Sequence, residues 1–319
     1  MSEKVIKSYK AFDKNMQCRG FQYEVGKEYE MDGEIKCCDR GFHACKSPME
    51  VWDHYDMLSS RFAEVEQSGK IDEEGNSTKV CSSRIKIKAE LKLADIIKVG
   101  VEWLKDITSP TKVKTDIAKN NNGGYSAKIG SSGCSAKIGS SGCSAKIGSS
   151  GDYAKIGSGG DSAQIGSSGD YAQIGSSGCS AKIGSSGDSA QIGSSGYSAK
   201  IGSSGCSAKI GSSGCSAKIG SSGCSAKIGS SGDSAQIGSS GDYAQIYSTG
   251  EDSVVMCAGK ESKAKAKVGS WITLTEWEWN DDKKRRVPLC VKTEYVDGNN
   301  IKADTWYQLQ NGEFVEVTV

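Results

Sequence analysis

The chain has 319 residues, of which 41 are glycine and only 3 proline, and its net charge is +1. That balance gives no global electrostatic case for nucleic acid or for a membrane surface. The opening MSEKVIKSYK lacks the apolar core of a signal peptide, and no apolar run reaches membrane-span length. The expectation is therefore a soluble protein of the cytoplasm whose 13 cysteines are reduced thiols.

Residues 1–107 have ordinary globular composition and read as an α+β domain. Strands are expected at 6–9 and at 21–29, the second bent at Gly26. Ser47-Pro48-Met49-Glu50 has the pattern of a capping box with proline in the first helical position, opening a helix through Trp52 and Tyr55. Residues 84–91 alternate apolar with charged side chains, which is strand periodicity, and 93–107 carry a helical apolar stripe. The one metal-like group is Cys18, Cys37, Cys38, His43, Cys45 and His54. Zinc favours paired Cys-x₂₋₄-Cys spacing, which the adjacent Cys37-Cys38 and the one-residue gap from His43 to Cys45 do not supply. These residues read as packing, so no metal or cofactor is expected. No nucleophile–base–orienter set and no phosphate loop can be read, which points to a non-enzymatic protein. Residues 108–123, ending in an Asn/Gly cluster, read as a linker.

From residue 124 the chain becomes a tandem repeat. Isoleucine recurs every nine residues, fourteen times, from Ile129 to Ile246. A representative unit is Gly139-Ser140-Ser141-Gly142-Cys143-Ser144-Ala145-Lys146-Ile147. Gly139 and Gly142 would supply the positive-φ corners, and Ser144 to Ile147 would form a strand with Ala145 and Ile147 inward. Two glycines in nine residues argue against helix, and a regular apolar column argues against a disordered linker. Nine residues are too few for a closed coil with an interior, so the reading is a parallel β-solenoid with two units per coil. That gives seven coils, about 33 Å long at about 4.8 Å per strand, with stacking and capped ends required for stability.

Two positions vary together. The residue after the second glycine is Cys, Asp or Tyr, and the residue before Ile is Lys or Gln; every Gln unit carries Asp. With two units per coil, Lys128, Lys146, Lys182, Lys200 and Lys218 share one face with Asp161 and Asp233, a net of +3 (five minus two). The opposite face is neutral. Tyr153, Tyr171 and Tyr243 sit beside an Asp as outward anchors, with Tyr153 and Tyr171 stacked on neighbouring coils. Asp is missing from eight of the fourteen units and directly follows Gly, so the pattern is not a calcium-binding nonapeptide. Only Cys206 and Cys224 lie one coil apart, which excludes a disulfide ladder.

Beyond Ile246 the repeat degrades but continues, with Ala264, Ala266 and Val268 alternating against the basic stripe Lys263, Lys265 and Lys267. The solenoid is taken to end at 269. Residues 270–319 read as a β-hairpin cap: a strand at 271–279 with three tryptophans on one side, a charged turn containing Lys283-Lys284-Arg285-Arg286, and hairpin turns at Asp297-Gly298 and Asn311-Gly312.

The segments CRGFQYEVG (18–26) and RGFHAC (40–45) resemble an N-terminal domain of unknown function found in phage and prophage proteins. GSWI (269–272), IKADTWY (301–307) and NGEF (311–314) resemble the ends of the same proteins, which carry Gly/Ala/Ser-rich solenoids between the two. The resemblance implies a phage or prophage setting, in host cytoplasm or on a virion, and brings no activity. The repeat also resembles, more loosely, ice-nucleation and adhesin solenoids. The fold class expected is mainly β, and the function a solenoid presenting a repetitive surface to a protein partner, with self-association as a further partner class. The competing expectations are an ADP-ribosyltransferase-like N-terminal domain displayed on the solenoid, and an ice-binding or adhesin-like solenoid.

Overall fold

The computed structural model describes residues 4–73, 78–108 and 126–318. The chain divides into two compact units, Met1–Trp103 and Leu104–Val319. The 108–123 linker lies almost wholly outside the described residues.

The N-terminal unit is an antiparallel sheet of β1 (Ile6–Phe12), β4 (Glu28–Glu30), β5 (Phe42–Cys45), β6 (Arg61–Glu73) and β7 (Lys79–Leu91). Its order is β4-β7-β5-β1-β6, and β7 also pairs with β6, so four of the strands close on themselves. Phe12, Phe42, Val65, Ile85 and Ile87 fill the interior. The helix Leu93–Ile107 forms where its stripe is written, and within this unit it buries Ile96, Ile97 and Val101. Three local expectations change. The strand expected over 21–29 is two short pieces, β3 (Phe21–Gln22), paired with β2 (Gln17–Cys18), and β4. The expected helix is a single 3₁₀ turn, Met49–Asp53. The capping box does not form, because the Glu50 carboxylate accepts instead from the Thr78 amide (2.9 Å) and hydroxyl (2.8 Å).

The second unit is a parallel β-solenoid. Its repeat strands run from Lys128–Ser131 to Lys263–Lys265 and alternate between two sheets, so two nine-residue units make one coil. Pairing is in register at an offset of eighteen: Lys146 with Gln164, Ile147 with Ile165, Gly148 with Gly166, Ser149 with Ser167. Among the described residues each sheet holds eight repeat strands, one more than the seven per sheet that fourteen strict units supply. The degenerate segment continues the register, with Val255 opposite Ile237 and Ala264 opposite Ile246. The isoleucine column is buried from Ile129 to Ile246, and the alanine column from Ala145 onward, with Ala127 and Ala136 in the first coil half-buried.

The strand lies two residues later than the sequence suggests, over Lys146–Ser149 rather than 144–147. Serines such as Ser149 and Ser167 therefore point inward and are buried, and the outward lanes are Lys/Gln and Gly. The positive-φ residue of each corner is Ser144 (φ 57°), or Tyr153 (φ 57°) where tyrosine stands there, and not a glycine. The second glycine of each unit is needed for close approach: a Cβ on Gly160 would fall 2.0 Å from the carbonyl oxygen of Gly142, one coil earlier. The strained corner is tied by its own amide, Ser144 N–H donating to the Asp161 carbonyl at 2.7 Å.

The far end is closed by antiparallel pairs. Trp271–Asn280 begins parallel to Val254–Cys257 and then turns back on Arg285–Tyr295. The other sheet ends in the hairpin Tyr307–Gln310/Glu313–Glu316, whose Asn311-Gly312 turn has φ of 52° and 74°. The Glu276 carboxylate joins the two hairpins by accepting from the Asn311 and Gly312 amides at 2.9 and 2.8 Å. Asp297-Gly298 is not a hairpin turn; the Asp297 carboxylate accepts from the Asn299 and Ile301 amides within a loop. Val268, expected to alternate inward, is exposed.

Candidate functional site

In each strand of the first sheet, Lys146-Ile147-Gly148-Ser149 and its equivalents, residues one and three face outward and two and four face in. In-register stacking turns that alternation into lanes. Lys128, Lys146, Gln164, Lys182, Lys200, Lys218 and Gln236 make one, and Gly130 to Gly238, every eighteen residues, the next. A Cβ on any glycine of this lane would meet nothing within 4 Å. The result is a shallow, open trough of about 1310 Å³ along the sheet, with a glycine floor beside the lysine lane. No carboxylate among the described residues pairs with these five lysines. Like charges directly opposite in a ladder cost a few tenths of a kcal/mol or more per pair. At its far end the lysine lane continues as Val254, Trp271 and Tyr295, all exposed, with the two rings 5.1 Å apart.

The other candidate residues lie elsewhere. Tyr153, Tyr171 and Tyr243 project from the corners that lead into the second sheet. Tyr153 and Tyr171 stack at 5.0 Å and 5°, and Tyr243 receives a hydrogen bond from Lys260 (3.1 Å). Lys263, Lys265 and Lys267 belong to the last coil and are engaged with their surroundings. Lys263 donates to the Thr318 carbonyl (3.2 Å) and Lys267 pairs with Glu251 (2.8 Å). Lys265 lies 3.9 Å over the Tyr247 ring, and burial pushes its ammonium below the ordinary lysine range. The three do not form a free basic stripe.

The variable Asp has a role that composition alone did not show. Asp152, Asp161, Asp170, Asp188, Asp233 and Asp242 each accept, through Oδ1, the amide of the residue eighteen positions on, at 2.7–2.9 Å. The carboxylate caps the next coil, which is why no lysine partner is needed within the unit.

A second site, not read from the sequence, lies in the N-terminal unit. A cavity of about 710 Å³ is bounded by β1, the hairpin 17–22, β5 and the 3₁₀ turn with the residues after it. Lys10, on β1, is only 3% exposed. Its Nζ donates to the His43 carbonyl (3.0 Å) and to Cys18 Sγ (3.3 Å), and lies 5.5–5.9 Å from the rings of Phe12, Tyr23 and Tyr55. No carboxylate hydrogen-bonds to it among the described residues, and burial holds it below the ordinary lysine range, with Cys18 opposing. Cys18 Sγ also meets Tyr55 Oη at 2.8 Å. His43 is held neutral by burial and then by the Lys10 charge, and its Nε2 accepts the Cys38 amide at 3.0 Å. Cys37 turns away to Asp72, its amide bonding that carboxylate at 2.7 Å, and Cys45 is buried with burial raising its thiol to about 12. The Cys/His group is thus dispersed, and among the described residues no three potential ligands converge as a metal site. All thirteen cysteines are free thiols.

Residues 6–99 match the model of a domain of unknown function, DUF7666. Both N-terminal segments that carry the resemblance, 18–26 and 40–45, fall within that match. No curated protein and no solved structure matches the chain. No helix among the described residues is long and apolar enough to cross a membrane.

Proposed function

We propose that the solenoid is a non-catalytic binding scaffold whose first sheet takes an extended, acidic segment of a partner protein. The observation that carries this reading is the unneutralised column Lys128, Lys146, Lys182, Lys200 and Lys218 beside a glycine floor. Five cations in register are a standing repulsion that an anionic occupant relieves, and a floor without side chains lets a peptide backbone approach closely. Exposed Trp271 and Tyr295, with Val254, give the end of the lane an apolar, aromatic anchor of the kind enriched in interfaces. The lane has no interleaved aromatic residues on which bases would stack, which favours a polypeptide over single-stranded nucleic acid. The phage or prophage setting that the terminal motifs resemble makes a host or phage protein the partner class.

The test is fluorescence anisotropy of the full chain with a labelled peptide of alternating Glu and Ser ending in Leu. Charge reversal at Lys146, Lys200 and Lys218 together should abolish binding. Reversal of Lys283 and Lys284 in the cap should leave it unchanged, and salt should weaken it. Equal loss in both variants, or tighter binding of a single-stranded oligonucleotide, would overturn the assignment.

A further inference from the structure

The N-terminal cavity combines a buried charge, a strained cation and an aromatic wall, and the scaffold reading uses none of them. Lys10 is buried with two dipoles and three ring faces for company but no carboxylate bonded to it. Burying an ammonium without a counter-charge is costly, so a fold that keeps one in a cavity leaves room for an anion to complete it. Arg19 adds a second observation. It occupies the first central position of the two-residue turn joining Gln17–Cys18 to Phe21–Gln22, with φ 51° at Arg19 and 77° at Gly20. Turns of that type favour Asn, Asp or Gly there, because other residues are strained at positive φ. Arginine in that place lines the cavity and has no carboxylate partner among the described residues. The lining holds three cations, Lys10, Arg19 and Lys79, against one carboxylate, Asp53. The wall is aromatic: Phe21, although 44% exposed, packs edge-on to Tyr23 (4.8 Å) and near Phe42 (6.1 Å). A volume of about 710 Å³ suits a small molecule rather than a macromolecule.

We propose that this cavity is a binding site for a small aromatic anion: an aromatic ring seated against Phe21 and Tyr23, bearing a carboxylate, sulfonate or phosphate that pairs with Lys10 and Arg19. Ring and charge are recognised together, the ring by edge and face contacts and the anion by charge-assisted hydrogen bonds from the buried Lys10 and the rim residue Arg19.

The probe is 1-anilinonaphthalene-8-sulfonate, titrated by fluorescence into the full chain. N-phenyl-1-naphthylamine, which has the same rings without the sulfonate, serves as the neutral counterpart. The sulfonate should bind saturably at one site per chain, at least tenfold tighter than the neutral compound. Lys10→Met and Arg19→Gly should each weaken it at least tenfold. Arg19→Gly guards against a folding artefact, because glycine relaxes the turn: its thermal midpoint should hold or rise while binding falls. The proposal is overturned if the sulfonate binds no better than the neutral ring, or if Arg19→Gly, folded as judged by its melt, binds like the parent.

Discussion

The carbonyl oxygen of Gly160 lies 2.0 Å from where a Cβ on Gly178 would stand, one coil further along the solenoid. Gly184, six residues on, has nothing within 4 Å of the same construction. Two glycines that look alike in the repeat thus have opposite tolerances. Gly178→Ala must push two backbones apart and is expected to cost about 3 kcal/mol, the upper range for overpacking. Gly184→Ala should be neutral or stabilising by about 0.5 kcal/mol, through loss of unfolded-state freedom. Thermal melts of the two variants beside the parent decide it.

Asp188 Oδ1 accepts the Cys206 amide at 2.7 Å. Asp188→Ala should cost about 1 kcal/mol, the usual worth of one such bond, and should speed hydrogen exchange at the Cys206 amide. Asp188→Asn keeps an acceptor oxygen and should retain most of the protection.

Cys206 and Cys224 occupy the same corner position on successive coils, with Sγ atoms 2.7 Å apart. The other repeat cysteines face Asp or Tyr at the eighteen-residue offset. Strand-neighbour spacing is within the Cα range of a disulfide. Mild diamide treatment should therefore join this pair first. Peptide mapping should find the 206–224 cross-link ahead of any other repeat pair, and Cys224→Ser should remove it.

His43 is neutral in the fold, where burial and then the Lys10 charge hold it below the ordinary histidine value. An unfolded chain takes up a proton near pH 6.5, whereas the folded domain does so only at lower pH. Stability from this group is therefore complete above about pH 6.5 and falls as the pH drops below it. Urea midpoints of the N-terminal transition should decline between pH 7.5 and 5.5, and His43→Gln should flatten that decline.

Much of the architecture was legible. The invariant Ile and Ala columns required an interior, and nine residues could not enclose one, so two units per coil followed. The stripe over 93–107 was enough to place that helix. The register within the unit was not legible, because Ser144-Ala145-Lys146-Ile147 and Lys146-Ile147-Gly148-Ser149 both alternate. The choice depends on where the coil closes. The cavity was missed for a related reason. Lys10 lies in a stretch with Lys7, where lysine ordinarily marks the solvent face, but Lys7 is exposed and Lys10 is buried. Its burial comes from the hairpin 17–22 and the residues around His43 and Tyr55, contacts between segments distant in sequence. The capping box at 47–50 failed because Glu50 is held by Thr78, just before β7 and 28 residues away in sequence.

The sequence alone determined the period, the pairing of units into coils, the in-register lysine column and the need for a cap. These follow from a repeat whose every copy meets the same neighbours. Only the tertiary structure decided which glycine is indispensable, what the variable aspartates hold and where Lys10 is buried. Each depends on an atom of one segment meeting the backbone or side chain of another, and local periodicity carries no information about that distance.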